Sequence, residues 1–181
     1  MIEPECDEPK DLYRRKPLLA VPARGRLLIP AAVANRTCEA LKTFRGSDGP
    51  HEGIVLWAGR KVEDGLLVAS AIVPRADHGC GRVHIDRSAV GASVRVVRSF
   101  GLIIVAQVHS HPGDDTRHSD GDDHMILLPH EGMFSVVVGR YGESGISPEE
   151  GAGFHQFQDT RWVAVSDAAR SILIVPTSIE L

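Results

Sequence analysis

A single α/β domain built on a mixed β-sheet is the fold this chain predicts, on three observations. Runs rich in β-branched and apolar residues alternate with stretches of helical period. One run, "LIIVAQVH", is apolar almost throughout, as a central strand buried on both faces requires. The 181 residues suffice for one core and hardly for two. Residues 1–25 are expected to be a polar lead-in, and 26–181 the domain.

The elements follow in order. The first 17 residues, "MIEPECDEPKDLYRRKP", are acidic and broken by proline. "RLLIP" is a short strand, and Pro30 suits the first turn of a following helix. In "PAAVANRTCEALKTFRG", Val33, Ala40, Leu41 and Phe44 recur at helical spacing, with Gly46 as the stop. "SDGPHE" is a turn. "GIVLWAGR" and "GLLVASAIV", joined by "KVEDG", read as a hairpin. "PRADHGCGRVHI" reads as a glycine-rich loop with a short strand at its end. Asp86 can cap the helix "RSAVGASVRVVRSF", whose Ala89, Val90, Val94, Val97 and Phe100 form one stripe. After "LIIVAQVH" come a short helix at "SDGDDHMILL", a strand at "MFSVVVG" and a loop at "YGESGISPEEGAG". Late strands are expected at "FHQFQ", "WVAV" and "SILIV".

Composition narrows the function. Hydrophobic residues make 43% and charged residues 24% of the chain, an ordinary globular balance. With a net charge of −4 there is no basic excess, so neither nucleic acid nor an anionic membrane is the expected partner. Cys6, Cys38 and Cys80 are far apart and form no CxxC, which suggests neither a disulfide framework nor a cysteine zinc cluster. The N-terminus lacks the apolar stretch of a signal peptide, and no apolar run approaches membrane-spanning length. A cytoplasmic location is the expectation.

One stretch stands apart. "VHSHPGDDTRHSDGDD", residues 108–123, sets two histidines one residue apart at the end of the central strand. Residues two apart on a strand share a face, so His109 and His111 aim together, as two ligands of one ion must. Pro112 ends the strand. Ser119 and Asp122, three apart at the start of the next element, both turn back toward the strand end. Two imidazoles and a carboxylate are a normal catalytic zinc set with a position left for water. Each part has an ordinary reading too: histidines on a strand surface, or S-x-x-D as a capping box. Of the remaining acids, Asp114, Asp115, Asp120 and Asp123 read as solvent-facing, with Asp123 the nearest rival to Asp122. His51, His84, His118, His124, His130 and His155 have no place in the pattern and read as structural or solvent-facing, with His118 the one to watch.

The stretch "HSHPGDDTRHSDGD" resembles the JAMM (MPN-plus) metalloprotease signature: H-x-H-P, six residues, then S-x-x-D, with a glutamate upstream. "HEGIVLWAG" resembles that upstream element and offers Glu52. "VVRSFGLIIVAQVHSHPGD" and "HEGMFSVVVGRYG" look most like the compact prokaryotic JAB-domain branch, and the likeness runs from about Arg26 to Val165. It implies a mixed sheet flanked by helices, of cytidine-deaminase-like architecture. It also implies one zinc ion per chain on His109, His111 and Asp122, Glu52 as general base and then acid, and Ser119 as donor to the oxyanion. The implied activity is an isopeptidase or peptidase cutting after the C-terminal tail of a ubiquitin-like (β-grasp) protein. Trimming of a sulfur-carrier or modifier precursor at a Gly-Gly end is the close rival, and a metal-free MPN scaffold the distant one. An E1-like activating system would be the natural company of such a substrate. Zinc deaminase and HExxH protease motifs are absent. The stretches 74–85 and 140–153, where larger relatives carry insertions, are short here. Gly81–Ile85 is expected to receive a substrate tail as an added strand.

Overall fold

The computed structural model describes residues 17–119, 121–122 and 129–178. Nine strands form the main sheet: β1 (Ala20–Val21), β2 (Arg26–Pro30), β5 (Ile54–Val62), β6 (Gly65–Ile72), β9 (Ile103–Ser110), β10 (Phe134–Val138), β11 (Gly153–Gln158), β12 (Arg161–Val165) and β13 (Ile172–Val175). Their spatial order is β1-β12-β11-β10-β9-β5-β6-β2-β13. Parallel and antiparallel pairs mix, as expected: β9 runs parallel to β10 and antiparallel to β5. The "LIIVAQVH" strand is β9, at the middle of the order, and its last six residues are buried.

Two short hairpins stand off the main sheet. One pairs β3 (Arg45–Gly46) with β4 (Gly49–Pro50), and the other pairs β7 (Asp77–Gly79) with β8 (Arg82–His84). The second corrects the loop expected over 74–81. Arms of three residues are too short to show a period-two pattern. Ala20–Val21 joins the sheet beside β12, so part of the stretch expected as lead-in belongs to the sheet.

Helix α1 (Ala31–Leu41) covers one face of the sheet and α2 (Arg87–Ser99) the other. Under α1 lies the larger core, with Leu27, Ile29, Leu41, Val55, Trp57, Val108 and Phe134 all essentially without solvent contact. The Trp57 indole N–H is satisfied by Thr37 Oγ1 at 2.8 Å, which lets a large ring be buried without an orphaned donor. Under α2 sit Ile54, Leu56, Val83, Ile85 and Ala89. A four-residue helix, α3 (Ala168–Ser171), leads into β13.

Both long helices stop sooner than their patterns. α1 ends at Leu41, five residues before Gly46; the chain then tightens, with Thr43 N–H and Phe44 N–H donating to Ala40 O and Leu41 O, and enters β3 at Arg45. In α2, Asp86 caps as expected, accepting from Ala89 N–H at 2.8 Å. Gly101 (φ +65°) then reverses the chain, with Leu102 N–H donating back to Val97 O. That reversal takes Phe100 out of the stripe and leaves it 70% exposed, contrary to expectation. The helix expected over 119–128 lies largely outside the described residues. Cys80, in the β7–β8 turn, is disulfide-bonded, which no cysteine spacing suggested.

Candidate metal centre

β9 carries His109 and is followed, one residue past its end, by His111. Its antiparallel register with β5 pairs Ile54 with His109 and Leu56 with Gln107, so these four share the α2 face, while Val55, Trp57, Ala106 and Val108 share the other. Toward the end of β9 that face turns from apolar to polar. Ser110 N–H donates to Gly53 O and Gly53 N–H to Ser110 Oγ, which carries the pairing one step past the ladder. Beyond that step the two chains part: Glu52 N–H donates to Gly79 O and His111 N–H to Val138 O.

His109 is fully buried, and His111 and Asp122 are 2% exposed. His109 Nε2 and His111 Nε2 are 3.2 Å apart. Asp122 Oδ1 lies 3.1 Å from His109 Nε2, and Oδ2 lies 3.8 Å from His111 Nε2. Four-coordinate zinc with ligand bonds of about 2.0–2.1 Å sets neighbouring donors roughly 3.3 Å apart. The three separations bracket that edge, so the residues fit a tetrahedral ion. Tautomers agree. His111 Nδ1 donates to Asp115 O at 2.7 Å, which leaves the Nε2 lone pair facing the other two donors. Glu52, buried at 6% exposure, stands outside this ligand cluster.

S-x-x-D makes the capping-box bonds the sequence offered and sets Asp122 beside the two histidines. Ser119 N–H donates to Asp122 Oδ2 at 2.6 Å and Asp122 N–H donates to Ser119 Oγ at 3.3 Å, a reciprocal turn lock. The lock aims the carboxylate at the histidines instead of competing with that role. Burial pushes the Asp122 carboxyl up, but His109 and His111 outweigh it and hold the group well below the usual carboxylate range. It remains an anion, as a ligand must. The acids read as solvent-facing are partly so. Asp114 forks onto Arg140 and Asp115 onto Arg117, both pairs exposed, although Asp115 also serves the site through its carbonyl. Asp120 and Asp123 lie outside the described residues.

The comparisons follow this geometry. The family model "Prokaryotic homologs of the JAB domain" matches residues 36–165, well over half of the chain. The chain belongs to this JAB family. A curated relative, named probable metalloprotease y4jG of Sinorhizobium fredii, is 27% identical over 139 residues, covering 71% of this chain and 81% of that protein. Among solved structures, protein DSY2949 from Desulfitobacterium hafniense shares the fold at TM-score 0.61 and 13% identity, over 83% of this chain and 93% of that one. AF2198, a JAB1/MPN domain protein from Archaeoglobus fulgidus, matches at TM-score 0.43 and 15% identity, over 82% and 96%.

In this JAB domain two histidines outside the motif also line the centre. β10 and β11 continue the polar row: Gln107 pairs across to Ser135, and Ser135 to His155. Gln107 donates to Ser135 Oγ at 2.9 Å. The His118 ring packs at a tilt against those of His155 and Trp162, with centroids 4.9 and 5.5 Å away. Both histidines are buried, so the solvent-facing alternative fails for them. His155 alternates correctly on its strand, but nothing in a single strand tells which face meets the site. Burial, above all, pushes His118 down to about 3 and His155 to about 4. Both stay neutral in the fold, where they cannot repel a cation.

Acid stability should report this. A histidine whose folded pKa lies below its unfolded value of 6.5 binds more protons when unfolded, so stability rises with pH. Each of the two removes about 1.4 kcal/mol per pH unit as pH falls from 6.5 toward its folded value. Asp122 adds its own loss only below the ordinary carboxylate range. Metal-free protein should therefore melt progressively lower between about pH 6.5 and pH 4.5. A flat melting temperature across that interval would contradict the burial argument.

Proposed function

We propose that this chain is a zinc-dependent peptidase of the JAMM type, cutting after the C-terminal tail of a ubiquitin-like, β-grasp protein. The observation that carries the reading is the convergence of donor atoms of His109, His111 and Asp122 within reach of one ion, with Glu52 buried two residues before β5. The name of the Sinorhizobium relative supports the protease class, and two imidazoles with one carboxylate suit zinc. His109, His111 and Asp122 would hold the zinc, which when bound would supply Lewis-acid chemistry for polarising a carbonyl and acidifying water.

The chain's own residues do the rest. As water adds to the scissile carbonyl carbon, the Glu52 carboxylate takes one of its protons. The carbonyl oxygen becomes an oxyanion. Ser119 Oγ accepts from Asp122 N–H, which leaves its hydroxyl hydrogen available for donation to that oxyanion. As the C–N bond breaks, Glu52 returns its proton to the departing amine nitrogen. Asp115 O holds His111 in its working tautomer throughout.

A tail must lie extended across the site. β8 is a short strand with Val83 buried beneath it and Arg82 and His84 outward. The receiver role proposed for Gly81–Ile85 uses backbone pairing with the tail, and glycine just before the cut would let the tail pass closest to the metal ligands. A scaffold role is disfavoured because every ligand position is filled. Zinc-loaded protein should release a reporter from ubiquitin ending in Gly-Gly, lose that activity to a chelator and regain it with zinc. Parallel substrates joined through a backbone amine and a lysine side chain separate precursor trimming from isopeptide cleavage. No release from either, or equal release after Leu-Leu, would overturn the reading.

A further inference from the structure

A second histidine pair lies outside the mechanism. His51 Nδ1 and His78 Nδ1 are 2.8 Å apart, and His51 Nε2 lies 2.7 Å from Asp48 Oδ1. An ionised carboxylate only accepts, so His51 Nε2 carries the proton; its Nδ1 then offers a lone pair to which His78 Nδ1–H donates. One chain of hydrogen bonds thus sets both tautomers. The site is built closely: His78 stands edge-on to Phe44 at 5.1 Å, and a Cβ on Gly46 would collide with Asp48 and the His51 ring. His51 is 8% exposed.

What the pair grips is the peptide bearing Glu52. His51 N–H donates to Phe44 O at 2.9 Å, and Glu52 N–H to Gly79 O at 2.8 Å. Two consecutive residues before β5 are therefore fastened to two consecutive residues of β7: His51 to His78 through rings, Glu52 to Gly79 through backbone. The far end of the same hairpin is held by Tyr141 Oη–H, which donates to Cys80 O at 2.8 Å, while Tyr141 N–H donates to His111 O. Arg140 and Tyr141 both adopt positive φ to make that brace, a strained pairing for residues other than glycine.

We propose that the Asp48–His51–His78 chain is a positioning device for Glu52, fixing its peptide against the β7–β8 hairpin at one constant spacing from the metal ligands. The proposal rests on Glu52 being the general base. A shift of about 1 Å in such a group can cost 10²-fold in rate, so a clasp one residue away has leverage.

The test uses full-length, zinc-loaded protein. His78→Phe keeps a ring against Phe44 and removes the donor; His78→Asn keeps a donor near the Nδ1 position. Amide hydrogen exchange at Glu52, read without substrate, should quicken about tenfold or more in the Phe variant and stay near wild type in the Asn variant. With ubiquitin-Gly-Gly-reporter, the Phe variant should lose roughly 10- to 100-fold in kcat at unchanged KM, and Asn should restore most of it. Should the Phe variant fail to fold, Asp48→Ala, at an exposed side chain, frees the His51 tautomer and gives the same two readouts. Unchanged exchange at Glu52, or a raised KM with normal kcat, would overturn the proposal. If wild-type protein cleaves no fusion, the functional reading fails by itself, and exchange at Glu52 still decides whether the clasp holds that residue.

Discussion

Asp122→Ala is expected to lose the metal and all measurable turnover while remaining recognisably folded. The carboxylate is the one charged ligand among three, and its oxygens meet both imidazoles. Disturbing an outer-shell partner typically costs 10–100-fold in metal affinity, so losing a ligand itself should cost at least the upper end. Removal also strips the acceptor from Ser119 N–H, a buried donor whose orphaning costs about 1–3 kcal/mol. Asp122→Asn sorts these effects, since it keeps an oxygen for Ser119 N–H and discards the charge. The Asn variant should melt close to wild type when both are metal-free and bind metal far more weakly. Metal content after dialysis, together with melting in the presence of chelator, checks both halves. Full metal content in Asp122→Ala, with loss in Asp123→Ala, would mean that the ligand had been placed one residue too early.

The main sheet was largely legible because its strands are long enough to show their character. β5 and β6 announce themselves as a hairpin by apolar runs around "KVEDG", and β9 by its unbroken apolarity. The clustering of His109, His111 and Asp122 was legible for a different reason. His109 lies on β9 and His111 one residue past its end, and the turn from Ser119 to Asp122 is local, so spacing alone brings most of the cluster together. What stayed hidden needed partners distant in sequence. His155 comes to the site only because β11 joins β10 in a particular register, and His118 because a loop folds over Trp162. β1 and β7 are too short to carry a pattern, and Phe100 left its stripe through a reversal at Gly101 that the helical period does not register. The pairing of His51 with His78 spans 27 residues and depends on the hairpin the sequence concealed. Glu52 lay between these cases: on its own a strand-end glutamate, it is proposed as a base only because of the motif downstream, and its buried position, with its N–H on Gly79 O, depends on the hairpin the sequence concealed.

Glu52→Gln should bind zinc as wild type does and turn over a Gly-Gly fusion roughly 10²–10⁴ times more slowly. The substitution is nearly isosteric, so the buried site keeps its shape and the hydrogen bond from the residue-52 amide to Gly79 O is unaffected. What disappears is a group able to hold a proton between the attack of water and the departure of the amine. An amide cannot do so at any working pH, and no pH adjustment should rescue the variant. Because the loss falls on the transition state, kcat should drop while KM stays near its wild-type value. Two results would remove Glu52 from this role: a variant with turnover near wild type, or one that arrives without its metal and so behaves as a lost ligand. The inactive, metal-loaded protein is also the form in which a bound tail can be observed, since new amide protection over 81–85 would then persist instead of ending in cleavage.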